Sequence, residues 1–316
     1  VSGVKFIFWD SQFGRFFNTG PIKGEGDITF FIHTMLWGFA PWAIIGFSSL
    51  AMTGKNLLTK VKMKESFTFF GFSIMFLIFS LSKFQLPHYI NIIYPFIAIM
   101  TASLIYYNHK SWVNKLFKFS INIYSVVFLV VITLIEYFFN TEHLIASLLI
   151  FLIQLITLIY VNTKIVKHKY KFLILGVLSS SLFFLFFNLF FYPSLLKYQS
   201  GSQVAFYVNK HYPKEVITAS YDDWLLQYYV KNDLHRVRTI DELKKEIENK
   251  NKILVVEESF YEEIKKSTLD FDILKVFENY RVTKLTADFF YYKTRKKTLS
   301  NNYLIEVKTV ANNGYK

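Results

Sequence analysis

The 316-residue sequence predicts an α-helical membrane protein, with about six transmembrane helices followed by a small extracytoplasmic α/β domain. Three observations carry that fold class. Hydrophobic residues make up 53% of the chain and aromatics 20%, with 36 Phe, beyond an ordinary globular composition. The apolar excess stops near Pro193, after which the chain becomes mixed and charged. Basic residues gather in every second loop between the apolar runs, as in a multi-pass membrane protein.

Residues 1–30 read as an aromatic-rich extracytoplasmic loop and residues 31–192 as the helical bundle. The spans are expected at 31–52, 67–81, 91–107, 121–139, 144–161 and 172–192. Several are shorter than the ~20 residues that cross a ~30 Å hydrocarbon layer, and their aromatic flanks extend them. Loop 53–66 carries Lys55, Lys60, Lys62 and Lys64; loop 108–120 carries Lys110, Lys115 and Lys118; loop 162–171 carries Lys164, Lys167, Lys169 and Lys171. The alternate loops, 82–90 and 140–143, contain one basic residue, Lys83. The positive-inside rule puts the lysine-rich loops in the cytoplasm, and puts residues 1–30, the Lys83 loop and the C-terminal domain outside. Within the spans, Gln154 and Asn188 read as interhelical hydrogen-bonding groups, and Glu136 lies near an outer end within reach of water.

Residues 193–316 alternate helix-like and strand-like segments, which predicts an α/β layered domain. Helices are expected at 203–211, 224–230, 241–250 and 259–266, with Asp241 and Lys250 matching the dipole of the third and Ser259 capping the fourth. Strands are expected at 216–221, 236–240, 252–257, 272–276 and 303–307, of which Lys252–Glu257 is the clearest buried one. Asp222-Asp223 has the chemistry to bind a cation or a sugar hydroxyl, but reads better as an acidic helix start.

Of the basic residues, 15 face 6 acids before Pro193 and 21 face 17 after it, so the excess belongs to the membrane part. Its place in short loops, without any nucleic-acid-binding motif, argues against a nucleic-acid partner. The chain has no Cys, which excludes disulfides, thiolate catalysis and Cys-ligated metals. No HxxxH or HExxH spacing implies a metal site, and cofactor use, including a divalent cation, stays open.

The stretch from Ser82 to Ile90 (SKFQLPHYI) is the most informative in the chain. It joins two apolar runs at the level where a bilayer meets water, and holds a cation, an imidazole and a phenol: Lys83, His88 and Tyr89. That arrangement suits anion capture at a membrane face. Plainer readings stand beside it: Lys83 as a snorkelling anchor, Tyr89 as an interfacial aromatic and His88 as a cap on the next span.

The run Phe6–Trp42, with Gly14-Arg15, an aromatic-His stretch reaching His33 and Pro41-Trp42, is followed by SKFQLPHYINIIYPFIAIM at 82–100. Together they resemble the family 39 glycosyltransferases, bacterial relatives of protein O-mannosyltransferases and of the aminoarabinose transferase that modifies lipid A. The Ser-Lys…Pro-X-Tyr element at 82–89, ending in Tyr94-Pro95, is the most specific match. The resemblance covers most of residues 1–107; later segments agree in layout only. It implies a C-type glycosyltransferase with a non-cytoplasmic active site, taking a sugar from a polyprenyl-phosphate carrier to a lipid or protein acceptor. It also implies that Lys83 and Tyr89 lie near the carrier phosphate. Arg15 is a second phosphate candidate or a solvated loop cation, and His33 is given no ligand role.

In that family the acidic general base sits in an outer loop near the N-terminus, ahead of the spans. Asp10, Glu25 and Asp27 are the carboxylates before the first span here, and all belong to the aromatic-rich loop. The expectation is therefore a C-terminal part of a longer protein, with no catalytic residue in this chain and no activity by itself. A transporter or flippase for a lipid-linked sugar is the alternative, disfavoured by the absence of internal repeats. A membrane-anchored sensor and an oligosaccharyltransferase subunit fit less well. The nearest approach to the latter's Trp-Trp-Asp-Tyr-Gly motif is Tyr221-Asp222-Asp223-Trp224.

Overall fold

The computed structural model describes residues 2–19, 24, 26–59, 66–107, 110–163, 170–213, 215–247 and 251–308. The expectations placed on Glu25, Lys60, Lys62, Lys64, Lys164, Lys167, Lys169 and Lys250 lie outside the described residues. The chain forms two compact units. One comprises Val1–Ile132 and Leu148–Phe184, the other Thr133–Ser147 and Leu185–Lys316.

Among the described residues four helices are long and apolar enough to cross a membrane: Pro87–Tyr107, Ser111–Phe138, Leu144–Asn162 and Lys171–Leu196, with Phe67–Leu81 a shorter apolar helix. Their outward faces are apolar too; Leu148, Leu149, Leu152, Ile153 and Ile156 are all exposed, as suits a hydrocarbon surrounding. Three of them overrun the expected bounds. Pro87 opens a 3₁₀ turn that leads into the span expected at 91–107, since a first-turn residue needs no N–H partner. The helix expected at 121 begins at Ser111, because no Gly or Pro interrupts residues 111–120, and Lys115 and Lys118 therefore ride on the helix rather than in a loop. The last continues to Leu196 through a π-helical turn at Phe187–Phe191.

The run at 31–52 is not one helix. Phe30–Gly38 and Ala43–Leu58 are separated at residues 39–42, where the Ala40–Pro41 bond is cis. Pro41 has no N–H with which to continue the helical ladder. Carbonyls at the break are met from helix Ser111–Phe138: the Tyr124 hydroxyl donates to Leu36 O at 2.6 Å and Ser120 Oγ to Pro41 O at 2.7 Å. In an apolar surrounding, backbone groups freed by a break need such partners. The first thirty residues also differ from the expected loop. With no Gly or Pro between Val4 and Phe13, residues 2–17 are helical throughout, π-helical over Phe6–Phe13, and end at Asn18 in the left-handed region.

Gln154 behaves as read, donating through Nε2 to Ser125 O at 3.0 Å, while Ser125 and Ser179 hydroxyls meet at 2.9 Å. Asn188 does not: it is exposed on the π-helical turn, which rotates it away from its neighbours, and it has no hydrogen bond among the described residues. Glu136 accepts from Thr141 Oγ1 at 2.7 Å and Ser147 Oγ at 2.5 Å.

In the second unit, β1 (Ile217–Ala219), β2 (Leu234–Arg236), β3 (Lys252–Glu257), β4 (Phe271–Asn279) and β5 (Ser300–Val307) form one mixed sheet in the order β2-β1-β3-β5-β4. β1 pairs in parallel with β2 and β3, whereas β5 runs antiparallel to both β3 and β4. The alternation of β3 explains its unbroken apolar run. Ile253 and Val255 join a core with Val204, Val208 and Leu226 on one face; Leu254 and Val256 join one with Leu243, Phe260 and Ile264 on the other. Helices Ser200–His211 and Trp224–Tyr229 thus cover one face, and Ile240–Glu246 and Glu258–Lys266 the other. β4 is an edge strand, with a register shift between Ile273 and Lys275.

Local chemistry moves several expected ends. The strand expected at 236–240 lies at Leu234–Arg236, because Thr239 caps the next helix by accepting from Glu242 N at 3.2 Å. Ser259 is not a cap: its hydroxyl donates to Glu257 Oε1 at 2.9 Å, one position inside the helix. Asp223 caps helix Trp224–Tyr229, its Oδ1 accepting from Leu225 N at 2.8 Å and Leu226 N at 2.9 Å, and Asp222 pairs with Arg236 at 2.7 Å. Two short elements, Ala287–Phe290 and Arg295–Thr298, were not foreseen. Arg295 is 8% exposed, its guanidinium donating to Phe289 O at 3.0 Å, Tyr198 Oη at 3.0 Å and Phe139 O.

Candidate functional site

The turn between Phe67–Leu81 and the Pro87 helix is built from its own side chains and from residues 16–27. Ser82 is extended and ends the helix; Leu86 is extended too, as the residue before a proline prefers. Ser82 Oγ donates to Phe84 O at 3.1 Å, and Gln85 Nε2 to Ser80 O at 3.1 Å. From the other segment, Lys83 N donates to Phe16 O at 3.2 Å and Asp27 N donates to Gln85 Oε1 at 3.0 Å. Gly24 and Gly26 cross directly over this turn. A Cβ on Gly24 would stand 2.6 Å from Lys83 O, and one on Gly26 2.8 Å from Lys83 Cα. Gly24 is further held by Asn18 Oδ1, which accepts its N–H at 2.9 Å.

On this frame Arg15, Tyr89 and His88 are linked through Phe84. The Arg15 guanidinium lies 5.4 Å from the centroid of Phe84, and Phe84 lies 6.4 Å from Tyr89. Tyr89 in turn lies 4.9 Å from His88, edge to face, and 6.3 Å from Phe79. Tyr89 is half-buried against the core of Phe31, Met35, Ile90 and Ile93, whereas Lys83 and His88 are exposed. Arg15 is half-buried, and its Nε, shielded from solvent, makes no hydrogen bond among the described residues. Lys83 has no ion-pair partner among them. The turn therefore presents a free ammonium and a phenol, and helix Gly14–Phe17 brings an aromatic-held guanidinium against it at Phe84, a donor set that suits phosphate oxygens.

Two carboxylates of the first thirty residues are described, Asp10 and Asp27, and the Asp27 main chain is bonded to the turn at Gln85. Asp27 accepts from Thr29 N at 2.9 Å and Thr29 Oγ1 at 2.8 Å, bonds that hold its carboxyl below the usual range, with His33 a lesser influence. His33 is exposed beside Phe30. Asp10 lines a surface cavity with Phe6, Trp9 and Phe13. Among the described residues no three His, Asp or Glu side chains group to hold a metal ion. A separate, largely apolar cavity of about 800 Å³ lies between Trp42, Thr101, Tyr106, Phe117, Lys118 and Phe172, and none of the predicted site residues lines it.

Sequence reading missed Phe84, Gln85, Gly24 and Gly26. The Gly-Glu-Gly spacing at 24–26 was visible as a turn signal; what it turned against was not.

No family model matches this sequence, and no curated protein matches it. Solved structures do. The crystal structure of ArnT from Cupriavidus metallidurans bound to undecaprenyl phosphate superposes with a TM-score of 0.65 at 15% identity, covering 99% of this chain and 57% of that one. The fold is that of ArnT. The apo state of ArnT gives a TM-score of 0.62 at 14% identity, covering 100% of this chain and 58% of that chain. This chain thus spans somewhat over half the length of ArnT. The similarity runs through both the helical part and the mixed sheet, whereas the sequence resemblance was confined to residues 1–107.

Proposed function

We propose that this chain is part of an integral-membrane glycosyltransferase that moves a sugar from a polyprenyl-phosphate carrier to a lipid or protein acceptor on the non-cytoplasmic face. The observation that supports the reading is the packing of Arg15 on Phe84, next to Tyr89 and His88, on a turn whose Lys83 main chain is bonded to Phe16. The fold shared with ArnT, solved bound to undecaprenyl phosphate, supports it. The protein is multi-pass in this reading, with the lysine-rich loops cytoplasmic and residues 193–316 an extracytoplasmic domain.

In the proposed mechanism the acceptor attacks the anomeric carbon and the lipid phosphate leaves. Charge grows on the phosphate as the glycosidic C–O bond breaks. The Lys83 ammonium, the Tyr89 hydroxyl and the Arg15 guanidinium meet that charge with donors already in place, and His88 lies beside them at the exposed edge. The acceptor proton goes to a base supplied by a part of the protein beyond these residues, so this chain alone is expected to bind the carrier without transferring sugar.

The test is transfer of radiolabelled sugar from polyprenyl-phosphate donors by the full-length protein, comparing wild type with Lys83→Ala and Tyr89→Phe. Loss of transfer with membrane insertion intact is expected; unchanged transfer in both variants would reduce the turn to a membrane anchor. The break at residues 39–42 favours a second reading, a transporter or flippase for a lipid-linked sugar, since transporters build sites at interrupted helices. Sugar-lipid movement across vesicles without transfer would select it.

A further inference from the structure

A groove between helix Ser200–His211 and the edge strand β4 belongs neither to the turn at 82–89 nor to the core of its own unit. It measures about 590 Å³ and is lined by Gln203, Phe206, Tyr207, Lys210, His211 and Lys275. Lys275 Nζ stands 4.1 Å from the centroid of Tyr207 and 5.2 Å from that of Phe277, which is buried beneath it. The imidazole of His211 lies 4.2 Å from the same Tyr207 ring. A surface lysine gains more hydration by extending into water, so a position over two ring faces is a held one.

Among the described residues, unpaired lysines occur elsewhere in the unit too, Lys231 and Lys266 included; this groove differs in having two on one lining. Lys197 on its margin is neutralised by Glu142 at 2.7 Å, and Lys252, Lys265 and Lys308 each meet a carboxylate. Lys210 and Lys275 have no ion-pair partner among the described residues, and Glu278, the carboxylate on the lining, pairs with neither. Beside these two cations Phe206 leaves half its surface in solvent, and Gln203 adds an amide that can both donate and accept. Two unpaired ammonium groups call for an anion; an exposed ring and an amide call for a ring-shaped body with hydroxyls.

We propose that this groove binds a phosphorylated sugar. Its phosphate sits between Lys210 and Lys275, its carbon face lies on Phe206 and its hydroxyls reach Gln203, while Tyr207 acts as a positioning residue that fixes Lys275 and His211. The inference does not rest on the polyprenyl-phosphate reading, whose residues lie in the other unit. The same chemistry is offered by a soluble sugar phosphate and by the phosphorylated headgroup of a glycolipid.

The test is ligand binding to the full chain in nanodiscs, followed by saturation-transfer NMR and calorimetry. The probes are glucose 1-phosphate, glucose, inorganic phosphate, and a phosphorylated glucosamine lipid in phosphatidylcholine bicelles. Glucose 1-phosphate is expected to bind more tightly than glucose or phosphate, and Lys275→Gln to weaken it about tenfold or more. Phe206→Ala is expected to erase its advantage over inorganic phosphate. Binding of the lipid alone, with the same sensitivity to Lys275→Gln, would assign the headgroup source. Failure of every probe on wild type, or equal binding by wild type, Lys210→Gln and Lys275→Gln at unchanged melting temperature, would overturn the proposal. Equal affinity for phosphate and glucose 1-phosphate in wild type would also overturn it, leaving an adventitious ion patch.

Discussion

The main-chain amide of Lys83 donates to the carbonyl of Phe16 at 3.2 Å. One hydrogen bond of this kind contributes little by itself, about 1 kcal/mol. Its value lies in where it is made. Phe16 follows Arg15 directly, so the bond that holds the Lys83 backbone also sets the start of the second cation relative to the first. The candidate phosphate site is thereby shared between helix Gly14–Phe17 and the turn after Phe67–Leu81.

Gly26→Ala should damage this arrangement without touching a charged group. The new Cβ would meet the Ser82 carbonyl and stand 2.8 Å from Lys83 Cα, and backbone cannot swing aside as a side chain can. The expected cost is about 1–3 kcal/mol of stability, with a further loss of the carrier-phosphate binding proposed for the turn. Gly3→Ala, where a Cβ meets nothing within 4 Å, is the control. Thermal melting in detergent and a lipid-phosphate binding assay check both.

Arg15→Lys keeps the charge and loses the planar face that lies 5.4 Å over Phe84. A weakening of carrier binding by about 1 kcal/mol, roughly fivefold, is expected. Phe84→Ala should reproduce it with the arginine intact. Lys83→Ala removes a phosphate donor outright and should cost more, about tenfold or greater. Unchanged carrier binding in Phe84→Ala would show that Phe84 plays no part in holding Arg15.

Arg295→Lys tests the second unit. The native guanidinium serves Phe139, Phe289 and Tyr198 at once, and lies 4.1 Å over the Phe139 ring. A lysine has neither the fork nor the plane, so buried carbonyls lose their donor. A destabilisation of about 2–3 kcal/mol is expected, read as a lower melting temperature with carrier binding at the turn retained.

The fold class and most elements were legible because apolar runs and strand alternation are local signals. Ile253, Leu254, Val255 and Val256 announce a strand buried on both faces whatever surrounds it. The break at residues 39–42 was less legible, although Pro41 stood in plain view. Pro is tolerated in a span when neighbours satisfy the freed carbonyls, and the two that do, Ser120 and Tyr124, come from a helix far along the chain. The site divides the same way. Lys83, His88 and Tyr89 were adjacent in sequence and could be read together, whereas Phe84 gains its role only from Arg15 lying above it.

Glu142 offers a pH test away from the spans. The hydrogen bond and charge of Lys197 at 2.7 Å hold its carboxyl below the ordinary value of 4.5. A depressed folded-state pKa stabilises the protein above the unfolded value, and that contribution fades as pH falls through the folded one. Both side chains are more than half exposed, so at most about 1 kcal/mol is at stake. The melting temperature of wild type should exceed that of Glu142→Gln at pH 6, and the gap should close below about pH 4.

The edge strand β4 bears on how many copies of such a protein can share one membrane. Confined to two dimensions, neighbouring sheets meet edge to edge far more often than they would in free solution. A chain without cysteine has no covalent lock against strand exchange. The register shift between Ile273 and Lys275, with Asp272, Lys275 and Glu278 exposed along the same strand, bends and charges the very edge onto which a second copy would add. Crowding on the bilayer is thus opposed by the shape of a single strand, and Lys275 serves that defence even when its groove is empty.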